Sequence, residues 1–496
     1  MPAEQLELPL AGTQSAPTSA ARIPRSRRVF VNRSLKMSTV DWVGFDMDYT
    51  LAIYNQSEMD RVSVEHTVKK LVARGYPAEL YELDYPIEFP IRGLLIDKKH
   101  GHILKLDRFK HVQKGFHGMR RLARDELRAL YQSKRVRTSG TRFHWVDTLY
   151  ALSEVAVYAR VIDHLESLGR ALDYGALFED IRESIDEAHR DGSILDEVAA
   201  DLPRFVDRDP LLAATLHKLR SAGKRLFLLT NSGAAYTEKM MGYLLGDAMS
   251  EYPSFRHYFD AVVVAARKPA FFTEANPLLL RTQNGTRQAP LPLERGAIYE
   301  GGNLHDFERA LGTTGDRILY VGDHIYGDIL RSRRESAWRT ALILQEMEGE
   351  VSAIEACKRE SDLVSELSAK REELEDQLRY LQGRFKDLSR RIAELDGDIA
   401  ERALAEAERL RTKRSVERIR GQMRALDHQV EELDQAIDAC FHPYWGSLMR
   451  ESDDRSGFGD QVEDYACLYT SRVSNFSAYS PLQHFRSARD RMPHEQ

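Results

Sequence analysis

Asp46-Met47-Asp48-Tyr49-Thr50 places two carboxylates two residues apart, directly after the apolar run Val43 to Phe45. One such acid can attack an electrophile while the other moves protons, and the backbone carbonyl between them can ligate a hard cation. Gly322-Asp323-His324-Ile325-Tyr326-Gly327-Asp328 follows the run Ile318 to Val321. Its two acids, five apart on a Gly-containing loop, suit Mg²⁺, which takes oxygen ligands in octahedral geometry. Thr230-Asn231-Ser232 follows Arg225 to Leu229 and offers hydroxyl and backbone N–H donors where a phosphate can be cradled. Lys268, ahead of Pro269, follows Ala261 to Ala266 and can neutralise phosphate oxygens. Each cluster alone has a plain structural reading: a surface loop for D-x-D, helix caps for the Asp and Thr clusters, a solvated lysine.

The elements that must position them are the apolar runs themselves. Continuous runs of this length, flanked by helical stretches, predict strands of a parallel sheet covered on both faces. In such sheets ligands sit beyond the carboxyl ends of the strands, so the four clusters are expected to converge on one crevice. Between the first and second strands lie about 180 residues, far more than a crossover needs. The pattern of 147–168 and 174–190 is helical, so this insert is expected to be a largely helical cap domain.

Residues 351–440 are charged, Pro-free and heptad-patterned. Leu378, Leu381, Phe385, Leu388, Ile392, Leu395 and Ile399 alternate 3,4 spacing, and Val416, Ile419, Met423, Leu426, Val430, Leu433 and Ile437 repeat it in a shifted phase. A helical hairpin turning at Asp396-Gly397-Asp398 competes with one rod paired across two chains. The hairpin is favoured, because the aromatic-rich tail after Phe441 reads as core-packing sequence, and a rod would carry it about 130 Å away.

The expected organisation is therefore a disordered basic arm over 1–28, a phosphatase-like core over 29–60 and 216–350, and the cap over 61–215. A coiled-coil hairpin over 351–440 and a tail over 441–496 packing on the core complete it. Composition narrows the class. The chain has 496 residues, with 71 Lys+Arg against 77 Asp+Glu and a net charge of −6, which argues against a nucleic-acid binder working by bulk charge. No run approaches the roughly 18 apolar residues of a membrane span. Residues 1–28 have no apolar signal region, and three scattered cysteines exclude a disulfide framework. A cytoplasmic address is expected, with no membrane and no nucleic-acid partner.

Taken in order, D-x-D-x-T, Thr/Ser, Lys and GD-x₄-D are the signature of the haloacid-dehalogenase-like superfamily, which the chain resembles. The flanking segments Val29 to Leu35, Gly44 to Ala52, Ala266 to Pro269, Tyr299 to Asn303, Tyr320 to Asp328 and Tyr465 to Thr470 resemble the cytosolic purine 5′-nucleotidase (type II) family. That resemblance implies a Rossmann-like parallel sheet with a cap and a Mg²⁺-dependent hydrolysis of nucleoside 5′-monophosphates, with a possible phosphotransferase side activity. It implies Asp46 as nucleophile and Asp48 as general acid and base. Thr230, Asn231 and Lys268 would bind phosphate, and Asp46, the Asp48 carbonyl, Asp323 and Asp328 would place the metal. In the cap, Arg182, Asp186, His189 and Tyr150 stand at substrate-contacting positions, each with a plain helix-surface alternative. Ala151, Arg190 and Leu195 depart from the family pattern, which puts purine preference in doubt. A homo-oligomer, dimer or tetramer, is also implied. The rival readings are a phosphatase of another phosphomonoester and an interaction scaffold with a vestigial core; the six compatible core residues weigh against the scaffold.

Overall fold

The computed structural model describes residues 23–131, 136, 140–282, 285–290, 292–325, 328, 336–395, 399–452 and 454–488. Two units form: one from the residues up to Glu348 together with those from Leu448 on, the other from Gly349–Ser447. Among the described residues no helix is long and apolar enough to cross a membrane.

The first unit is built on a ten-stranded sheet. Its strands in chain order are β1 (Phe30–Val31), β2 (Trp42–Phe45), β3 (Arg225–Leu229), β4 (Ala261–Val264), β5 (Leu278–Thr282), β6 (Gly285–Gln288), β7 (Ile298–Gly301), β8 (Ile318–Gly322), β9 (Arg339–Ile343) and β10 (Leu468–Thr470). They lie in the order β1-β10-β9-β8-β2-β3-β4-β7-β5-β6. The run from β10 to β7 is parallel, and β1, β5 and β6 pair antiparallel at the two edges. All four residues of β2 and of β4 are buried, as a parallel sheet covered on both faces requires. Phe227, Tyr320 and Trp338 stack beside Phe271, Phe272 and Phe307 on one face. Gly44 is required there, because a Cβ would stand 2.0 Å from the Phe227 ring. β2 lies between β8 and β3, so chain connections diverge from it in opposite directions. That divergence opens the ligand crevice at its carboxyl end.

The insert leaves and returns through a short antiparallel stem, Ile53–Tyr54 against Val206–Asp207. Asn55 then caps the helix Gln56–Ala73, accepting from Glu58 N–H. Helices Leu152–Ser167 and Tyr174–Arg190 form as expected from their apolar periodicity, the latter capped by Asp173. The insert is not helical throughout: 94–97, 102–106, 112–117, 120–121 and 143–146 make a five-stranded antiparallel sheet. Asp97 pins that sheet, taking the Arg142 guanidinium at 2.8 and 2.6 Å and the Tyr131 hydroxyl at 2.7 Å.

At the amino end, residues 23–28 depart from the disordered arm expected there. Arg25–Arg27 form a 3₁₀ turn, and Thr470 Oγ1 donates to the Arg28 carbonyl at 3.0 Å. The expectation for 1–22 lies outside the described residues. The tail from Leu448 belongs to the first unit and supplies β10 to its sheet.

The second unit contains most of the short helix Met347–Ala356 and is built mainly of two long ones, Lys358–Glu394 and Ile399–Cys440. Arg371 pairs with Asp427 at 2.7 Å, and further ion pairs join Arg384 to Glu408 and Arg391 to Glu401. As one number rises the other falls, so the helices run antiparallel. Leu388, Ile392, Val416, Ile419 and Leu426 are buried between them. Ile399 does not continue the first heptad stretch; it opens the second helix and is 86% exposed. The turn residues 396–398 lie outside the described residues.

Candidate active site

The acids Asp46 and Asp48 leave the end of β2 where the chain turns out of the sheet. Asp46 N–H donates 2.9 Å to Val321 O of β8, and Tyr49 then adopts a left-handed φ of 56°. The turn is closed by the Thr50, Leu51 and Ala52 amides on the Met47 carbonyl. This departure carries both acids out of the sheet and into the crevice at its carboxyl end, where Asp46 and Asp48 bear on one another electrostatically.

Lys268 reaches the crevice from beyond β4. Its Nζ lies 2.9 Å from Asp46 Oδ1, 2.7 Å from Asp328 Oδ1 and 2.9 Å from the Tyr320 hydroxyl. Burial disfavours its charge, but Asp328 and Asp46 outweigh that and hold the ammonium well above its ordinary pKa. Burial pushes the Asp46 carboxyl well up; Lys268 opposes this, while Asp328, Asp323 and Asp48 add to it.

Asp48 is held at both oxygens. Tyr54 Oη donates to Oδ1 and Ser232 Oγ to Oδ2, each at 2.6 Å. Tyr54 in turn meets the Tyr236 hydroxyl at 2.9 Å. Burial raises the Asp48 carboxyl above its ordinary range, and the Ser232 and Tyr54 hydrogen bonds oppose it only in part. A carboxyl fixed in orientation and readily protonated is suited to give and take protons.

Thr230 is fully buried at the end of β3, its N–H on Val263 O and its hydroxyl accepting from Ser232 N–H at 3.1 Å. The Asn231 side chain is committed elsewhere. Its amide nitrogen donates to Lys268 O at 2.9 Å and its oxygen accepts from Lys268 N–H at 2.5 Å. The side-chain amide therefore fixes the lysine and is not free for the phosphate contact expected of it.

On the β8 side, Asp323 and Asp328 come together across the turn that opens at Gly322, where a Cβ would stand 2.6 Å from the Asp328 carboxylate. Burial, then the Asp328 charge, raises Asp323 to about 7. Asp46, Asp323 and Asp328 each offer a carboxylate oxygen, all within 4.8 Å of one another, and all are buried. An oxygen-only set with that much like charge, with one lysine among it, fits a hard divalent cation. Tyr326 and Gly327 lie outside the described residues.

The four cap residues also gather. The Tyr150 and His189 rings meet edge to face at 4.2 Å, and burial lowers His189 to about 4. Arg182 Nε stands 3.7 Å from Glu154 Oε2, and Asp186 bears electrostatically on both Tyr150 and Glu154. Gln56 Nε2 donates to Leu149 O at 3.0 Å, tying this wall to the stem. Sequence reasoning passed over Tyr54, Ser232 as the Asp48 partner, Arg92 and Glu154. Only Ser232 carried a signal, through its place in the Thr-Asn-Ser run.

A nucleophile-type acid on a central parallel strand, a proton-handling acid two residues on, and hydroxyl, lysine and acid clusters on the neighbouring strand ends define a haloacid-dehalogenase-like phosphohydrolase. The chain belongs to the 5′ nucleotidase family, whose model matches residues 29–496. It is 28% identical over 481 residues to a 5′-nucleotidase domain-containing protein of Dictyostelium discoideum, covering 94% of this chain and 74% of that one. It is 30% identical to human 5′-nucleotidase domain-containing protein 2, over 69% of this chain and 67% of that one. The rat protein of the same name is 31% identical over 66% of this chain, which spans 60% of that relative's length. Among solved structures, a predicted phosphoglycolate phosphatase from Haemophilus somnus shows slight likeness. It is 13% identical with a TM-score of 0.27, over 62% of this chain and 85% of that one.

Proposed function

We propose that this chain is a Mg²⁺-dependent 5′-nucleotidase that hydrolyses nucleoside 5′-monophosphates, purine ones among them, through an aspartyl-phosphate on Asp46. The observation that carries this reading is the pairing of two differently held acids. Asp46 lies against Lys268, while Asp48 is clasped by Tyr54 and Ser232 with its carboxyl raised by burial above the ordinary range.

In the first step an Asp46 carboxylate oxygen attacks phosphorus and forms the P–O bond to the enzyme. The P–O5′ bond breaks, its electron pair stays on O5′, and Asp48 delivers its proton there. In the second step the Asp48 carboxylate takes a proton from water, whose oxygen attacks phosphorus and returns the Asp46 carboxylate. Lys268 and the Thr230 hydroxyl hold phosphoryl oxygens throughout. Mg²⁺ held by Asp46, the Asp48 carbonyl, Asp323 and Asp328 would neutralise charge between nucleophile and phosphate. A nucleoside hydroxyl in place of water in the second step gives phosphotransfer. Phosphate release from a panel of nucleoside monophosphates and sugar phosphates, with Mg²⁺ and with chelator, tests the reading. Release from sugar phosphates alone, or release indifferent to chelator, would overturn it.

A further inference from the structure

Two of the three thiols, far apart in the chain, meet in the helix pair. Cys357 stands immediately before the helix Lys358–Glu394, and Cys440 is the last residue of Ile399–Cys440. Register places them opposite one another. Arg371 meets Asp427 at 2.7 Å across the antiparallel pair. Counting fourteen residues back from Arg371 and thirteen on from Asp427 covers nearly equal lengths of helix and reaches Cys357 and Cys440. Helical bonding carries the phase through Cys357, whose N–H donates to Ala353 O at 3.0 Å and whose carbonyl accepts from Ser361 N–H at 3.0 Å. Both cysteines also fall on the heptad seam, Cys357 three heptads before Leu378 and Cys440 one heptad after Leu433. The segments flanking them converge as well, with Ser447 Oγ donating to the Glu350 carboxylate. Burial pushes the Cys357 thiol up, the Ser361 hydroxyl opposes it, and Cys440 adds to it through both its charge and a side-chain hydrogen bond.

The two sulfurs differ in access: Cys357 is 1% exposed, whereas Cys440 is exposed. A buried Cys357 alone would be ordinary packing, since a thiol behaves as a small apolar group. Packing gains little from an exposed Cys440, whose sulfur makes only a weak contact to Ala436 O at 3.5 Å. What the pair provides is one sulfur that a reagent reaches and a second, sheltered one that can take the reagent's place. Cys467 is placed differently. It is buried in the first unit, where Thr340 Oγ1 donates to its sulfur at 3.8 Å.

We infer that Cys357 and Cys440 are a modification site, a thiol pair that forms a reversible disulfide between the start and the end of the helix pair by exchange with a low-molecular-weight disulfide. Cys440 Sγ, having lost its proton, attacks one sulfur of that reagent. The reagent's S–S bond breaks, one half leaves as a thiolate, and a mixed disulfide stands on Cys440. Cys357 Sγ then loses its proton, attacks Cys440 Sγ and expels the second half. Two protein thiols are oxidised, one small disulfide is reduced to two thiols, and the two protons pass to the departing thiolates. The new bond closes residues 357–440 into one covalent loop, which restricts that segment when it unfolds.

The test treats the reduced full-length protein, under native conditions, with oxidised glutathione. Remaining thiols are then alkylated and the digest is mapped by mass spectrometry. Wild type is expected to give a Cys357–Cys440 link within one chain, with Cys467 alkylated, and dithiothreitol should restore all three thiols. Cys357→Ser should instead keep glutathione on Cys440. Cys440→Ser should take glutathione at Cys357 at least about tenfold more slowly than that, because the remaining thiol is sheltered. The wild-type map needs no variant to decide the matter. The inference is overturned if wild type stays fully reduced, if it holds glutathione on Cys440 with no link, if the link joins two chains, or if Cys467 pairs as readily as the other two.

Discussion

Arg92 Nη1 donates to the backbone carbonyl of Asp323 at 2.9 Å, so a residue of the inserted segment holds the acid turn of the core. Its remaining nitrogens grip the Glu346 carboxylate, Nε at 2.6 Å and Nη2 at 2.5 Å, and its guanidinium lies 5.2 Å from the Phe458 ring centre. The side chain is fully buried. Glu346 and Phe458 thus fix the guanidinium, and the third partner, Asp323, inherits that rigidity. The Arg92 charge also draws the Asp323 carboxyl down against its burial.

Arg92→Met should therefore loosen the acid turn and raise the Mg²⁺ concentration for half-maximal rate by about tenfold or more, the loss of a charged hydrogen bond being worth roughly 1.5–3 kcal/mol. Arg92→Lys should recover part of it, since one ammonium cannot reach both partners in the same plane. A Mg²⁺ titration of the rate decides this. An unchanged requirement with a lowered melting temperature would make Arg92 a purely structural residue.

Asp46→Asn should abolish turnover, by about a thousandfold or more, because an amide of equal size is not a nucleophile. Phosphate release measured beside circular dichroism of the same sample checks it. Turnover above about a thousandth of wild type would remove the covalent route.

The acid cluster makes metal binding and pH interdependent. Burial and the Asp328 charge raise Asp323 to about 7, and burial raises Asp46 as well, so folding without metal holds protons at these acids more tightly than the unfolded chain does. The Asp323 contribution to stability is then fully present below the ordinary carboxylate range and is lost as pH rises through about 7, and the Asp46 contribution has the same sign. Metal binds the ionised acids and competes with protons. Added Mg²⁺ should thus raise the melting temperature more at pH 8.5 than at pH 5.5. Thermal melts with Mg²⁺ or EDTA at both values would show it, and an equal Mg²⁺ effect at both would contradict the cluster as a metal site.

The sheet and its four strand-end clusters were readable in the sequence because each is local. A fully apolar run followed at once by its polar cluster carries both the strand and the side chains it presents. The cap sheet was not readable for the opposite reason. Its strand His102–Leu106 is buried throughout yet contains Lys105, whose charge is met at 2.7 Å by the equally buried Glu451 from the tail. Nothing near Lys105 in sequence announces that partner. Arg92 and Glu154 are hidden in the same way, one meeting Glu346 and Asp323, the other Arg182 on a different helix. The polar residues of the heptad stretch posed no such difficulty, since Arg371, Arg384 and Arg391 find their partners on the facing helix.

The helix pair offers the last prediction. Its two helices run antiparallel, so the chain that leaves at Gly349 comes back at Ser447. The closeness of those ends is direct: Ser447 Oγ donates to the Glu350 carboxylate. The Asp46, Asp48, Lys268, Asp323 and Asp328 cluster draws all its residues from the other unit, as does the sheet strand β10. Replacing 352–445 with a short Gly/Ser linker therefore asks the chain to close only a small gap, at a loop-closure cost that grows slowly with linker length. The shortened protein should fold and retain phosphate release within about threefold of full length, a loss of under 1 kcal/mol in barrier. Any change should fall on oligomeric state, read by light scattering. An insoluble or inactive product beside a soluble full-length control would show that the helix pair supports the catalytic unit, in spite of its separate core of Leu388, Ile392, Val416, Ile419 and Leu426.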